Sequence, residues 1–192
     1  MSEQLTQDEK QILLLKARNA IEKHAHSYPQ DKINLDSFSN ALKSDGASFV
    51  TLTTIPGGHL RGCIGALEAY RPLILDVQEH AISAAFEDYR FPPVQVGELN
   101  RILIEISILT SPNELEYQST EELLSKLRPG LDGVILKNGF QRATFLPQVW
   151  EKIKTKENFL QQLCLKMGAN SDLWRKKKLQ VLTYQVEEFH EV

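Results

Sequence analysis

The sequence predicts an α+β fold with mainly antiparallel sheet. Two stretches, residues 47–65 and 133–146, read as β-hairpins. Segments of helical periodicity fall irregularly between the strands instead of alternating with them, which disfavours a doubly wound parallel sheet. No structureless stretch is long enough to separate independent domains. The 192 residues, 42% of them hydrophobic, suit one domain or two small lobes sharing a core.

Each element has a local reason. Residues 1–4 are expected as a flexible N-terminus. Thr6 and Glu9 then form a capping box. Ile12, Leu13, Leu15, Ala17, Ala20 and Ile21 follow at mostly helical spacing, until Tyr28-Pro29 stops the helix. His24 and His26 near its end read as favourable charge at a negative helix terminus, not as ligands. Residues 47–55 are β-rich, Pro56-Gly57-Gly58-His59 is a turn, and Leu60 opens the return strand. With Gly57-Gly58 as a two-residue loop, Leu52 pairs with Cys63 and Thr54 with Arg61. His59, Arg61 and Cys63 then share one face, and Leu60, Gly62 and Ile64 the other.

Residues 72–87 read as a helix with Pro72 in its first turn and a packing face of Leu73, Val77, Ala81, Ala84 and Ala85. Asp88-Tyr89-Arg90-Phe91-Pro92-Pro93 is a rigid exit loop. Residues 101–109 alternate, with four isoleucines on one face and Leu103, Glu105 and Ser107 on the other. A carboxylate in mid-strand is either solvent-facing or paired. Residues 120–127 form a short polar helix. Asn138-Gly139 suits a type I′ turn, in which both residues take positive φ. Residues 155–167 form an amphipathic helix closed by Gly168, and residues 179–189 a last strand or extended segment.

Composition narrows the function. A net charge of -3 leaves no overall electrostatic footprint for nucleic acid, and no polybasic membrane patch. No run approaches a membrane-spanning length. The N-terminus lacks the basic and apolar regions of a signal peptide. Cys63 and Cys164 lie far apart and make no metal-ligand spacing. The expectation is a soluble, cytoplasmic protein with reduced thiols and no metal site. Phosphate-binding glycine loops, zinc-protease and serine-hydrolase motifs are all missing. Arg175-Lys176-Lys177-Lys178 reads as a solvated face, with contact to RNA or an anionic surface as the minor alternative.

What remains is Leu60-Arg61-Gly62-Cys63-Ile64-Gly65. Glycine weakens a strand interior and marks a bulge or a close approach of a ligand or another backbone. An arginine two residues from a cysteine lies roughly 6.6 Å away along a strand, and a nearby positive charge favours the thiolate. Cys63 is either a small buried hydrophobe or a ligand-lining, reactive thiol. His59 is roughly 13 Å away along the strand, too far to be its base. Arg61, Arg90 and Glu105 form a second constellation. Arg61 either pairs with Glu105 or Asp88, or clamps an anion in a cleft. Asp76 and His80 share a helix face at a spacing that suits a carboxylate–histidine pair or two metal ligands, with a solvated pair as the expectation. Cys164 is a packed helix cysteine.

These residues resemble the AMMECR-type domain, also called AmmeMemoRadiSam system protein A. The hexapeptide is similar to that family's signature, and Gly46 to Leu52 to its lead-in strand. Ala81 to Ala85 followed by Asp88-Tyr89-Arg90-Phe91-Pro92-Pro93-Val94, then Glu105-Ile106-Ser107, then Leu146-Pro147-Gln148-Val149-Trp150, resemble later blocks in order. Tyr89 stands where the family pattern leads one to expect proline. The resemblance implies a single domain over residues 5–192 built of two interlocked α+β lobes, with the hexapeptide near a cleft between them. It implies a pathway shared with a Memo-type protein and a radical-SAM enzyme, and supplies no reaction or cofactor. The expected function is binding of a small anionic or modified group. Cys63 and Glu105 are the catalytic candidates, and Arg61, Gly62, Gly65, Asp88 and Arg90 the ligand-binding ones. The alternative is a non-catalytic adaptor using Tyr89, Phe91 and Trp174.

Overall fold

Helix α1 (Gln7–Ala25) starts where the capping box places it. Thr6 Oγ1 accepts from the Glu9 amide at 3.3 Å, and the Glu9 carboxylate accepts from the Thr6 amide at 2.8 Å. The computed structural model describes residues 4–192, so most of the expected flexible N-terminus lies outside the described residues. The chain is α+β and divides into two compact units, residues up to 109 with 187–192, and residues 110–186.

In the first unit, α2 (Asn40–Lys43) leads to β1 (Ala47–Thr54), β2 (Leu60–Gly65), α3 (Leu73–Phe86) and β3 (Ile102–Leu109). With β8 (Val186–His190) from the end of the chain, the sheet order is β2-β1-β3-β8, with β1 antiparallel to both β2 and β3. Alternation supplies its core. Val50 and Leu52 on β1 and Ile104 and Ile106 on β3 are fully buried in one cluster with Leu13 and Ile21 of α1 and Ile74 and Val77 of α3.

The hairpin register differs from the expected one. Thr51, not Leu52, faces Cys63, Leu52 faces Gly62, and Thr53 faces Leu60. The register shifts between Leu52 and Thr53, which leaves Arg61 as the extra residue of a bulge. The loop runs through five residues, 55–59, instead of two, and includes a cis Ile55–Pro56 bond. The bulge interrupts the alternation that was expected to align His59, Arg61 and Cys63.

The second unit holds β4 (Asn113–Glu114), α4 (Thr120–Lys126), β5 (Gly133–Asn138), β6 (Gln141–Phe145), α5 (Lys156–Lys166), α6 (Leu173–Lys176) and β7 (Gln180–Tyr184). Its sheet order is β4-β7-β5-β6, and every neighbouring pair is antiparallel. Trp150 stacks on Phe159 with ring centroids 3.6 Å apart, in a core with Leu136, Leu163 and Trp174.

Two expectations are corrected here. Asn138 pairs with Gln141, so Gly139-Phe140 is the loop and only Gly139 has positive φ. Glycine at the first central position is the requirement of a type II′ turn, not I′. The closing segment is two strands, not one: β7 ends the second sheet's run, and β8 (Val186–His190) returns to the first sheet. Gln185 between them exchanges hydrogen bonds with Thr110 at 2.9 and 2.8 Å.

Candidate functional site

On the sheet face away from α3, three strands contribute one residue each to a row. Cys63 of β2 faces Thr51 of β1, and Thr51 faces Glu105 of β3. All three are half-buried. Thr51 Oγ1 lies 3.3 Å from Cys63 Sγ and donates to it. Neighbouring strands are about 4.8 Å apart, so Glu105 stands roughly 10 Å from Cys63 with Thr51 between them. Among the described residues the Glu105 carboxylate has no hydrogen-bond or ion-pair partner. A carboxylate there can exchange a proton with the thiol only through a hydroxyl or a water.

β2 is an edge strand, and the loop after α3 covers it at Cys63. The Cys63 amide donates to Asp88 Oδ2 at 2.9 Å, and Arg90 Nη2 donates to the Cys63 carbonyl at 3.2 Å. Asp88 in turn accepts from the Arg90 amide at 3.2 Å and from Nε at 2.8 Å, both on Oδ1, and from Nη2 at 2.6 Å on Oδ2. The Arg90 guanidinium thus holds the Asp88 carboxyl far below the usual carboxylate range, against the opposing effect of burial. Together the two side chains do for Cys63 what a neighbouring strand would do, satisfying one donor and one acceptor of an exposed edge.

Arg61 pairs with neither Glu105 nor Asp88. Its fork closes on Glu98, Nε to Oε1 at 2.9 Å and Nη2 to Oε2 at 3.1 Å, and Nη1 is buried with no partner. Arg61 in turn lowers the Glu98 carboxyl. The charge expected to favour the thiolate is therefore matched locally. Sequence reasoning missed Glu98, although its place three residues after Gln95, whose amide it accepts at 2.8 Å, is a capping-box spacing. It missed Thr51 because of the register shift.

The two glycines are closely approached by other parts of the chain, one of the two alternatives their strand positions suggested. A Cβ on Gly62 would sit 2.0 Å from the Ala84 carbonyl oxygen of α3. A Cβ on Gly65 would sit 2.3 Å from Phe49 Cγ and 2.4 Å from the Ser48 carbonyl. What approaches the backbone at both positions is the protein itself.

Asp76 and His80 are not a solvated pair; both are buried. Ser48 donates to Asp76 Oδ2 from its amide at 2.9 Å and from Oγ at 2.7 Å. His80 Nδ1 lies 3.2 Å from that oxygen and 3.3 Å from Ser48 Oγ. Serine and aspartate share one side of the imidazole, so the ring does not bridge them as it does in a nucleophile–base–carboxylate chain. The trio clasps α3 to β1. No group of three or more metal-ligating side chains is assembled among the described residues.

Cys164 is fully buried, and burial pushes its thiol up. Tyr89 is 95% exposed, but Trp174 is buried at 1% and cannot belong to an exposed patch with it. Among the described residues no helix is long and apolar enough to cross a membrane.

Comparison with known proteins identifies relatives that match nearly the whole chain. A protein of Methanocaldococcus jannaschii is 37% identical over 98% of this chain and 92% of its own length. One of Methanothermobacter thermautotrophicus is 38% identical over 97% and 96%. The crystal structure of the uncharacterized protein PH0010 from Pyrococcus horikoshii superposes with a TM-score of 0.79 at 33% identity, covering 93% of this chain and 89% of that one. The family model AMMECR1 matches residues 14–189, and the chain belongs to that family.

Proposed function

We propose that the Cys63 row is a binding surface for a small anionic or modified group, with Cys63 as its nucleophile or contact residue. One observation carries the reading. Both main-chain polar atoms of Cys63 are fixed by Asp88 and Arg90, while the residue is only half-buried and its thiol has Thr51 as hydrogen-bond partner. A thiol held by its own backbone is pre-organised in the way a binding or reacting group requires. Arg90, 43% exposed at its side chain, is the charge that meets an anion. Glu105 acts as a structural acceptor or, through the Thr51 hydroxyl, as a base. Arg61, Gly62 and Gly65 act indirectly, by fixing β2 against Glu98, α3 and Phe49. Family resemblance alone supports a cytoplasmic setting beside a Memo-type protein and a radical-SAM enzyme.

Alkylation with iodoacetamide, read by mass spectrometry, tests this reading with Cys164 as internal control. Cys63 is expected to react in the native protein while Cys164 stays intact until unfolding, and Thr51→Val to slow the reaction by removing the donor to sulfur. Equal inertness of both cysteines in the native state would sink the proposal.

The exposure of Tyr89 favours a second reading, a non-catalytic adaptor. The residue projects from a loop pinned on both sides by Asp88 and Arg90, so its ring is presented at low entropic cost. Capture of a partner that survives Cys63→Ala but is lost in Tyr89→Ala or Phe91→Ala would select the adaptor.

A further inference from the structure

We infer that the second unit carries an anion site, separate from the Cys63 row, that takes the phosphate group of a small molecule. A cavity of about 300 Å³ opens between the segment before α4 and the basic run after Trp174, with Tyr117, Ser119, Thr120 and residues 174–178 in its lining. This volume lies at the lower end of ligand-sized pockets.

The charges are the first argument. Of the four consecutive cations, Lys176 is ion-paired with Asp172. Lys177 Nζ donates to the neutral Asn138 Oδ1 at 2.7 Å. Among the described residues Arg175, Lys177 and Lys178 have no carboxylate at ion-pair distance. The neighbouring acids on α4 have nearer partners, Glu122 in Lys126 and Glu121 in the Thr120 hydroxyl, and feel Lys178 and Arg175 only at longer range, without an ion pair.

The second argument is that two of these cations are positioned. The Arg175 guanidinium lies over the Trp174 ring at 4.5 Å, and Lys178 Nζ over the Tyr117 ring at 5.6 Å. Tyr117 is itself anchored, its hydroxyl exchanging hydrogen bonds with the Leu179 main chain at 2.9 and 2.8 Å. A cation seated on an aromatic face keeps its donors free for an anion. The third argument is an unused donor. Trp174 is one of the lining residues, is 1% exposed, and its buried Nε1 has no hydrogen-bond partner.

The same features disfavour nucleic acid. Single strands bind on exposed aromatic platforms where bases stack. Here both rings are buried and their faces carry cations. Phosphate oxygens, not bases, match what the pocket offers.

Pyrophosphate is the probe, titrated into the full chain by calorimetry at low salt and followed by the indole N–H resonances. Submillimolar binding is expected to move the Trp174 signal and leave the Trp150 signal, whose donor is held by the Asp132 carbonyl at 2.8 Å. Removing one charged contact is worth about tenfold in affinity. Arg175→Gln with Lys178→Gln is therefore expected to weaken binding by about a hundredfold. Lys166→Gln, outside the cavity lining, leaves it unchanged. Should the double variant fold poorly, Lys177→Gln alone carries the test, with about a tenfold loss. ADP binding at least as tightly as pyrophosphate supports a phosphorylated small molecule. No binding, binding indifferent to these variants, or tighter binding of single-stranded RNA with a steep salt dependence each overturns the inference.

Discussion

Asp88→Asn is the sharpest probe of the loop that holds Cys63. The carboxylate accepts four hydrogen bonds, two on each oxygen: the Arg90 amide and Nε on Oδ1, the Cys63 amide and Arg90 Nη2 on Oδ2. An asparagine keeps one oxygen, so either orientation turns an NH2 group toward two donors and loses two bonds. Hydrogen bonds to a charged group are worth about 1.5–3 kcal/mol each. Arg90 is half exposed and recovers water as a partner, which discounts its share. The expected loss is about 2–3 kcal/mol, or a fall in Tm of about 5–10 °C for a chain of this size.

The acid side adds a second signature of Asp88→Asn. The folded Asp88 carboxyl titrates well below its unfolded value of about 3.9. The stability it contributes is therefore complete above that unfolded value and lost as pH falls below it. Asp88→Asn is expected to flatten this acid limb. Urea unfolding at neutral pH and at a series of acidic pH values measures both effects. A variant within about 0.5 kcal/mol of wild type, with an unchanged acid limb, would refute the strand-substitute role of the loop.

Two further substitutions test the packing around the site and in the second unit. Gly62→Ala puts a Cβ 2.0 Å from a main-chain oxygen of α3, which cannot rotate away. Its cost in urea unfolding is expected to reach or exceed the upper end of ordinary overpacking, about 3 kcal/mol, and a loss under about 1 kcal/mol would show that α3 yields freely. Trp150→Ala removes the stacking on Phe159 and the donor to the Asp132 carbonyl. A loss of about 3–5 kcal/mol is expected from the same assay, and a near-neutral result would contradict a tightly packed second core.

The fold was legible wherever a local rule acts alone. The Thr6–Glu9 capping box, the alternating isoleucines of β3 and Gly168 closing α5 each state their element within a few residues. Legibility failed where one residue's offset decides. Placing the turn at Gly57-Gly58 put Leu52 beside Cys63, but a longer loop and a bulge at Arg61 put Thr51 there instead. Asn138-Gly139 was misplaced by one position for the same reason. Asp76 and His80 read as a surface pair because i, i+4 spacing says which residues share a helix face, not which way that face points. Only packing against Ser48 turns it inward.

The edge position of Cys63 narrows what its surroundings can do. An open edge strand invites another strand to add to it, and an adaptor could bind that way. At Cys63 that route is closed, since its outward amide and carbonyl are already satisfied by Asp88 and Arg90. The main chain is spent, and what Cys63 still presents is its side chain, on the face shared with Thr51 and Glu105. A partner that reads this edge must instead grip the closing loop, whose most exposed large hydrophobic residue is Tyr89. The two readings thus rest on different atoms of one loop–strand junction. The thiol carries one and the Tyr89 ring the other, which is why Cys63→Ala and Tyr89→Ala separate them.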